Sequence, residues 1–202
     1  MSTPPFEERL ARLHEPHVQP LTQFREQLLK TLPAGTLVPH FDPVDAGVDA
    51  RVLLLLETPG RAPRTTRFTS LDNPSVTSRN LRALVADAGL RRADVLVWNF
   101  VPWDIGLATQ VQPTHSRHHA LGAPALLRLL GLLPALHAVV FFGAKAQKAL
   151  PVVRASRPEL ALIACPHPSG QVLNTRPEMR GRILEALRLA NAAQAANAVG
   201  AD

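Results

Sequence analysis

Three segments of this chain carry side chains able to do chemistry, and each of them, like a fourth made of small residues, follows a short apolar run. Glu57-Thr58-Pro59-Gly60 follows Val52–Leu56. Asn99-Phe100-Val101-Pro102-Trp103 follows Val95–Trp98. Gly143-Ala144 follows Ala138–Phe142, and Pro166-His167-Pro168-Ser169-Gly170 follows Leu160–Ala164. A neutral histidine can donate a hydrogen bond to an oxygen on which negative charge develops. An asparagine carries a carbonyl acceptor and an amide donor side by side, so it can match a carbonyl and an N–H on one planar ring. A serine hydroxyl with the backbone amides beside it can hold a phosphate. Each residue also has a plainer use. Asn99 can cap a strand-end turn, His167 between two prolines can fix a loop, and Glu57 can be structural.

The apolar runs are too short for helices and rich in Val, Leu, Ile or Phe, as buried strands are. Continuous apolar runs suit a parallel sheet covered on both faces. Helical patterns lie between them. Ser78–Gly89 repeats Leu81, Leu84, Val85 and Ala88 on one face, with Gly89 as a stop. His118–Leu133 has a broad apolar face, and Ala144–Leu150 reads as a short helix. Thr175-Arg176-Pro177-Glu178 reads as a capping box that opens a helix bearing Met179, Ile183, Leu187 and Ala190. A further helix is expected near Leu21–Leu32. This alternation predicts an α/β fold, a three-layer α/β/α sandwich with a central, mainly parallel four-stranded sheet. It is expected as one domain over residues 1–202, with an N-terminal helical extension and a tail that frays from about residue 192. In such sheets ligands bind outside the carboxyl ends of the strands. Glu57, Thr58, Asn99, His167 and Ser169 should therefore converge at one edge.

Composition narrows the class. The chain has 202 residues, 46% of them hydrophobic, enough for a sizeable core. Its formal charge of +6 favours contact with phosphates. Cys165 is the lone cysteine, which excludes an internal disulfide and a four-thiolate iron–sulfur cluster. Residues 1–20 hold no apolar signal core, and no run of about 18 apolar residues exists to span a membrane. A soluble cytoplasmic monomer is the expectation. His115, His118 and His119 match no closed zinc spacing and read as a solvated helix start. Trp98 reads as core, and Trp103 as core or cavity lining. A Gly-rich phosphate loop is missing, which argues against a nucleotide-binding protein without a nucleic-acid role.

Taken in order, the strand-end segments resemble the uracil-DNA glycosylase superfamily, over roughly Val52 to Leu187. Glu57-Thr58-Pro59-Gly60 looks like its first motif, Asn99 stands where the family places a base-reading Asn, and His167-Pro168-Ser169 looks like its second motif. The resemblance implies hydrolysis of the N-glycosidic bond of uracil, or another deaminated base, flipped out of DNA. It implies DNA as partner, the free base as product, and no metal or cofactor. It assigns Thr58 and His167 to catalysis, and Glu57, Pro59, Gly60, Phe68 and Asn99 to the base, with Phe68 as the stacking ring, although by residue type alone Phe68 serves equally as a core aromatic. Ser169, Gly170, Val172 and Leu173 fall to DNA, Val172 or Leu173 as a wedge. Two departures stand out. Thr58 occupies a position where relatives commonly carry Asp or Asn, with Asp72 and Asp104 as candidate substitutes. The cysteine set of the iron–sulfur branch is missing, so the resemblance is to a member without the cluster. The competing reading is a catalytically silent relative that binds nucleic acid or a free base.

Overall fold

The computed structural model describes residues 4–105 and 115–199. Along the chain run α1 (Phe6–Ala11), α2 (Gln19–Leu29), β1 (His40–Phe41), β2 (Val52–Leu56), α3 (Pro63–Thr66), β3 (Phe68–Thr69), α4 (Val76–Asp87) and β4 (Val95–Asn99). After them come α5 (Ser116–Gly131), β5 (Ala138–Phe142), α6 (Gly143–Ala146), α7 (Leu150–Ser156), β6 (Ala161–Cys165), α8 (Gly170–Thr175) and α9 (Met179–Val199).

The four apolar runs form one sheet, ordered β4-β2-β5-β6 and parallel throughout. β2 lies inside it, with Leu54 opposite Val97 on one side and Val140 on the other. Alternation along β2 separates two cores. Leu53 and Leu55 pack with Leu21 of α2, Leu129 of α5 and Val153 of α7. Val52 and Leu54 pack with Leu84 of α4 and with Ile183 and Leu187 of α9. Helices thus cover both faces, the α/β/α layering that the alternation predicts. Each such side chain contributes roughly 1.5–3 kcal/mol on burial. That gain on both faces explains why β2 is apolar at every position rather than at every second one. Trp98 is core, as expected, its ring stacked 3.6 Å from that of Phe41.

Differences from the sequence reading have local causes. β1 and β3 pair in parallel as a separate two-stranded ribbon, and two residues each is too short for a period to register. Thr175 does not cap the last helix. It ends α8, where its hydroxyl donates to the Gln171 carbonyl at 2.7 Å, and α9 starts at Met179. The tail expected to fray from about residue 192 is helical through Val199. Alanine dominates it, the best helix former, and Asn191 ties it to the Ala88 carbonyl at 3.2 Å. α4 begins earlier than expected, capped by Ser75, which accepts from the Ser78 amide. Its stop is Gly89, at φ +73°. Among the described residues no helix is long and apolar enough to cross a membrane.

Candidate active site

The carboxyl ends of β2 and β4 are laced together. The amides of Phe100 and Val101 donate to the carbonyls of Leu56 and Glu57, each at 2.8 Å. This lacing places Thr58 and Asn99 on the same cavity, of about 180 Å³, to which His167 adds its ring from the loop after β6. Pro59 and Gly60 line it as well. The volume lies below the roughly 300–1,000 Å³ of drug-sized pockets, so a single planar base suits it better than a whole nucleotide. Asn99 is buried, and its side-chain nitrogen donates to the Thr69 hydroxyl at 3.4 Å. Among the described residues the amide makes no other hydrogen bond, so a second N–H and its carbonyl can meet a ligand.

His167 is held from behind. Gly143 sits at φ +82°, and a Cβ there would lie 3.0 Å from the His167 Cβ. The backbone at the end of β5 therefore approaches the histidine as only glycine allows. Asn80 of α4 donates to the Pro168 carbonyl at 2.9 Å and pins the same loop. Burial pushes the His167 pKa below its ordinary value, with Glu57 opposing the shift, so the ring is neutral at pH 7. Ser169 caps α8 by accepting from the Val172 amide at 3.3 Å.

Glu57 does not line the main cavity. Its carboxylate turns into a recess shared with His167, Ser169 and Gly143. There it lies 3.4 Å from the Lys145 ammonium and 3.7 Å from the Nε2 of His119. His119, expected to be solvated at a helix start, is buried instead, stacked flat on Phe100 with ring centroids 5.2 Å apart. α5 enters the molecule at its first turn, which sequence spacing cannot reveal. His115 and His118 do form the start of that helix, as a reciprocal cap. No group of His, Cys, Asp or Glu among the described residues could hold a metal ion.

Several expected site residues are placed elsewhere. Phe68 is fully buried and absent from the cavity lining. Its ring stacks on Phe6 at 5.8 Å and leans on His40 at 5.6 Å, because the N-terminal helix α1 covers it. Leu173 packs against the sheet's core and is only partly exposed, whereas Val172 lines a neighbouring groove formed by α6, the end of β6, α8 and the start of α9, which shares His167 with the cavity. Gly170 abuts Val76, where a Cβ would come within 2.9 Å. Trp103 is core. Asp104 is ion-paired with Arg64 at 2.6 Å, and Asp72 is bound by three arginines. Neither carboxylate reaches the cavity.

One part of the cavity wall carries no motif in the sequence. It is built by Thr69, Ser70 and Asn73. Asn73 fixes it by donating to the Phe68 carbonyl at 2.9 Å and accepting from the Thr66 hydroxyl at 2.7 Å. The polar run Thr69-Ser70-Leu71-Asp72-Asn73 was a visible signal, but in sequence it is indistinguishable from a surface turn.

Comparison with known proteins bears on the family and the fold. The model of the uracil DNA glycosylase superfamily matches residues 43–188. Among solved structures, SMUG2 of Pedobacter heparinus is similar, with a TM-score of 0.52 and 15% identity over 74% of this chain and 76% of that one. A variant of UNG from Nitratifractor salsuginis gives a TM-score of 0.48 and 14% identity over 91% and 97%. No curated protein matches the chain significantly. With the family model spanning most of the chain and a solved relative sharing its fold, the protein belongs to the uracil-DNA glycosylase superfamily.

Proposed function

We propose that the protein hydrolyses the N-glycosidic bond between deoxyribose and uracil, or another deaminated base, with the base flipped out of DNA into the cavity. The observation that carries this reading is the meeting of Asn99 and His167, 68 positions apart in the chain, on one base-sized cavity with Thr58. As the C1′–N bond breaks, the bonding electrons pass to the base and the sugar becomes oxocarbenium-like. Neutral His167 donates to the base oxygen that gains charge, and Asn99 matches a carbonyl and N–H on the ring edge. A water oriented by the Thr58 hydroxyl adds to C1′, and its proton ends on the departing base. The products are the free base and an abasic site. We assign catalysis to His167 and Thr58, base contact to Asn99, Pro59 and Gly60, and DNA contact to Ser169, Gly170 and Val172. The protein would act as a cytoplasmic monomer. Every proton in this scheme is held by the chain or by water, so chelation leaves the rate unchanged.

One observation favours a second reading. None of the described residues lining the cavity is a carboxylate, which suits a silent relative that only binds a base. Oligonucleotides carrying uracil, hypoxanthine or xanthine separate the two. An abasic product under single-turnover conditions supports the enzyme. Tight binding of the same oligonucleotides without any abasic product sinks it.

A further inference from the structure

Ser70 lines the cavity although it is only 4% exposed. Its oxygen accepts from the Asp72 amide at 3.0 Å and from the Arg9 guanidinium at 3.3 Å, with Arg92 a further 3.5 Å contact. A hydroxyl has two acceptor lone pairs and one proton. The two nearer donors occupy the lone pairs, so the proton is what remains, and among the described residues no hydrogen bond takes it.

Arg9 is itself held on every side. It is 2% exposed and pairs with Asp42 and with Asp72, the latter at 2.8 Å. Its Nε donates to the Pro4 carbonyl at 2.9 Å, and its guanidinium lies 4.4 Å from the centre of the Phe6 ring, which stacks on Phe68. Helix α1 thus grips both ends of the segment that forms the cavity wall. It lies outside residues 43–188, which match the superfamily model.

We propose that Ser70 is a specificity-determining residue, a hydroxyl locked as a donor toward an acceptor atom of the bound base, and that Arg9 is the positioning residue that locks it. This rests on the base-binding reading of the cavity. A fixed donor favours a base that presents a carbonyl and disfavours one that presents an amino group. Deamination makes that exchange, turning the amino group of cytosine or adenine into a carbonyl. Ser70 therefore shares with Asn99 the task of choosing deaminated bases.

The test compares the parent with Ser70→Ala, Arg9→Gln and Arg9→Lys. It measures calorimetric binding of free uracil and cytosine, single-turnover release from uracil-containing DNA, and amide hydrogen exchange. Ser70→Ala narrows the preference for uracil over cytosine about tenfold, the loss of one net hydrogen bond. Arg9→Gln acts in the same direction, and Arg9→Lys does not rescue it, because an ammonium cannot fork between two carboxylates. Exchange quickens about tenfold at residues 68–73 in Arg9→Gln while β5 stays protected, a pattern that general destabilisation does not give. If Arg9→Gln does not fold, Phe6→Ala supplies the same exchange measurement. Unchanged preference in folded Ser70→Ala overturns the role of Ser70. Unchanged exchange at 68–73 overturns that of Arg9. A parent that neither binds nor releases any base overturns the glycosylase reading and the role of Ser70 with it, and the exchange data still decide Arg9 alone.

Discussion

At the scale of the residue, two side chains on the cavity set the chemistry expected of it, His167 and Thr58. His167 is kept neutral by burial, against the pull of Glu57, and it packs closely on a glycine whose positive φ and 3.0 Å approach disfavour a side chain. Loss of a preorganised donor costs about a hundredfold or more in rate. His167→Ala should slow single-turnover base release by at least that much, and an unchanged rate removes His167 from the mechanism. Thr58 can orient water but adds no negative charge beside the sugar cation. Thr58→Asp or Thr58→Asn should therefore raise the release rate about tenfold or more at saturating enzyme. If both variants fold and bind yet release no faster, the water sits elsewhere, and the Glu57 recess is the next place to look. In sequence, the placing of His167 and Asn99 on one cavity was readable because Asn99 ends β4 and His167 follows β6, at the same edge of the sheet. For Phe68 the sequence leaves a stacking ring and a core aromatic both open, and the fold buries it. Its place after the first motif suited a stacking ring, but nothing local said that Phe6 would cover it.

At the scale of the element, two glycines set how closely parts of the site approach. Gly143 turns the chain out of β5 at positive φ, where an alanine is strained by about 1–2 kcal/mol. Gly143→Ala should lower the melting temperature modestly. It should lower base release by a larger factor, because the added methyl pushes on the His167 Cβ. Equal activity in the folded variant would show that His167 tolerates displacement. Gly122 lies on α5 where it crosses the loop after β4, and a Cβ there would come within 2.4 Å of the Phe100 carbonyl oxygen. That neighbour is backbone and cannot swing away, so Gly122→Ala should destabilise the fold by about 1–3 kcal/mol, as overpacking does. Chemical denaturation reads this directly, and no loss of stability would mean that α5 can slide off the loop.

At the scale of the whole molecule, buried charge sets the response to pH. Burial and the neighbouring Asp42 push Asp45 up to about 8 from 3.8, while Arg92 opposes them. The folded state then holds a proton that the unfolded chain releases, so stability falls as pH rises from about 4 to about 8. Burial lowers His40 from 6.5 to about 4, with Arg25 and Arg67 adding to the shift. Its contribution is lost as pH falls from 6.5 toward 4. The two oppose each other below 6.5, leaving Asp45 to act alone above it. The melting temperature should therefore decline between pH 6.5 and pH 8, and Asp45→Asn should flatten that decline while keeping an oxygen for Arg92. A variant with the parent's slope would mean that Asp45 is already ionised in the fold. The formal charge of +6 carries a separate expectation. Affinity for DNA should weaken about tenfold or more between 50 and 200 mM salt, and a salt-independent affinity would count against any contact with phosphates.

Strand identity and the layering of the sheet were determined by the sequence alone. A run such as Val52–Leu56, apolar at every position, can be stable only where both faces are covered, and that constraint is local. The order in which the site segments leave the strands followed from the same runs, so Thr58, Asn99 and His167 were legible as neighbours. What only the tertiary structure decided are contacts between segments with no pattern of their own. They include the turn of Glu57 toward Lys145 and His119, the burial of Phe68 under α1, and the network of Arg9, Arg92 and three aspartates behind Ser70. An arginine that will be buried and one that will stay in water look alike in a sequence. The difference lies in whether carboxylates from distant positions arrive to meet it, and chain folding alone brings them there.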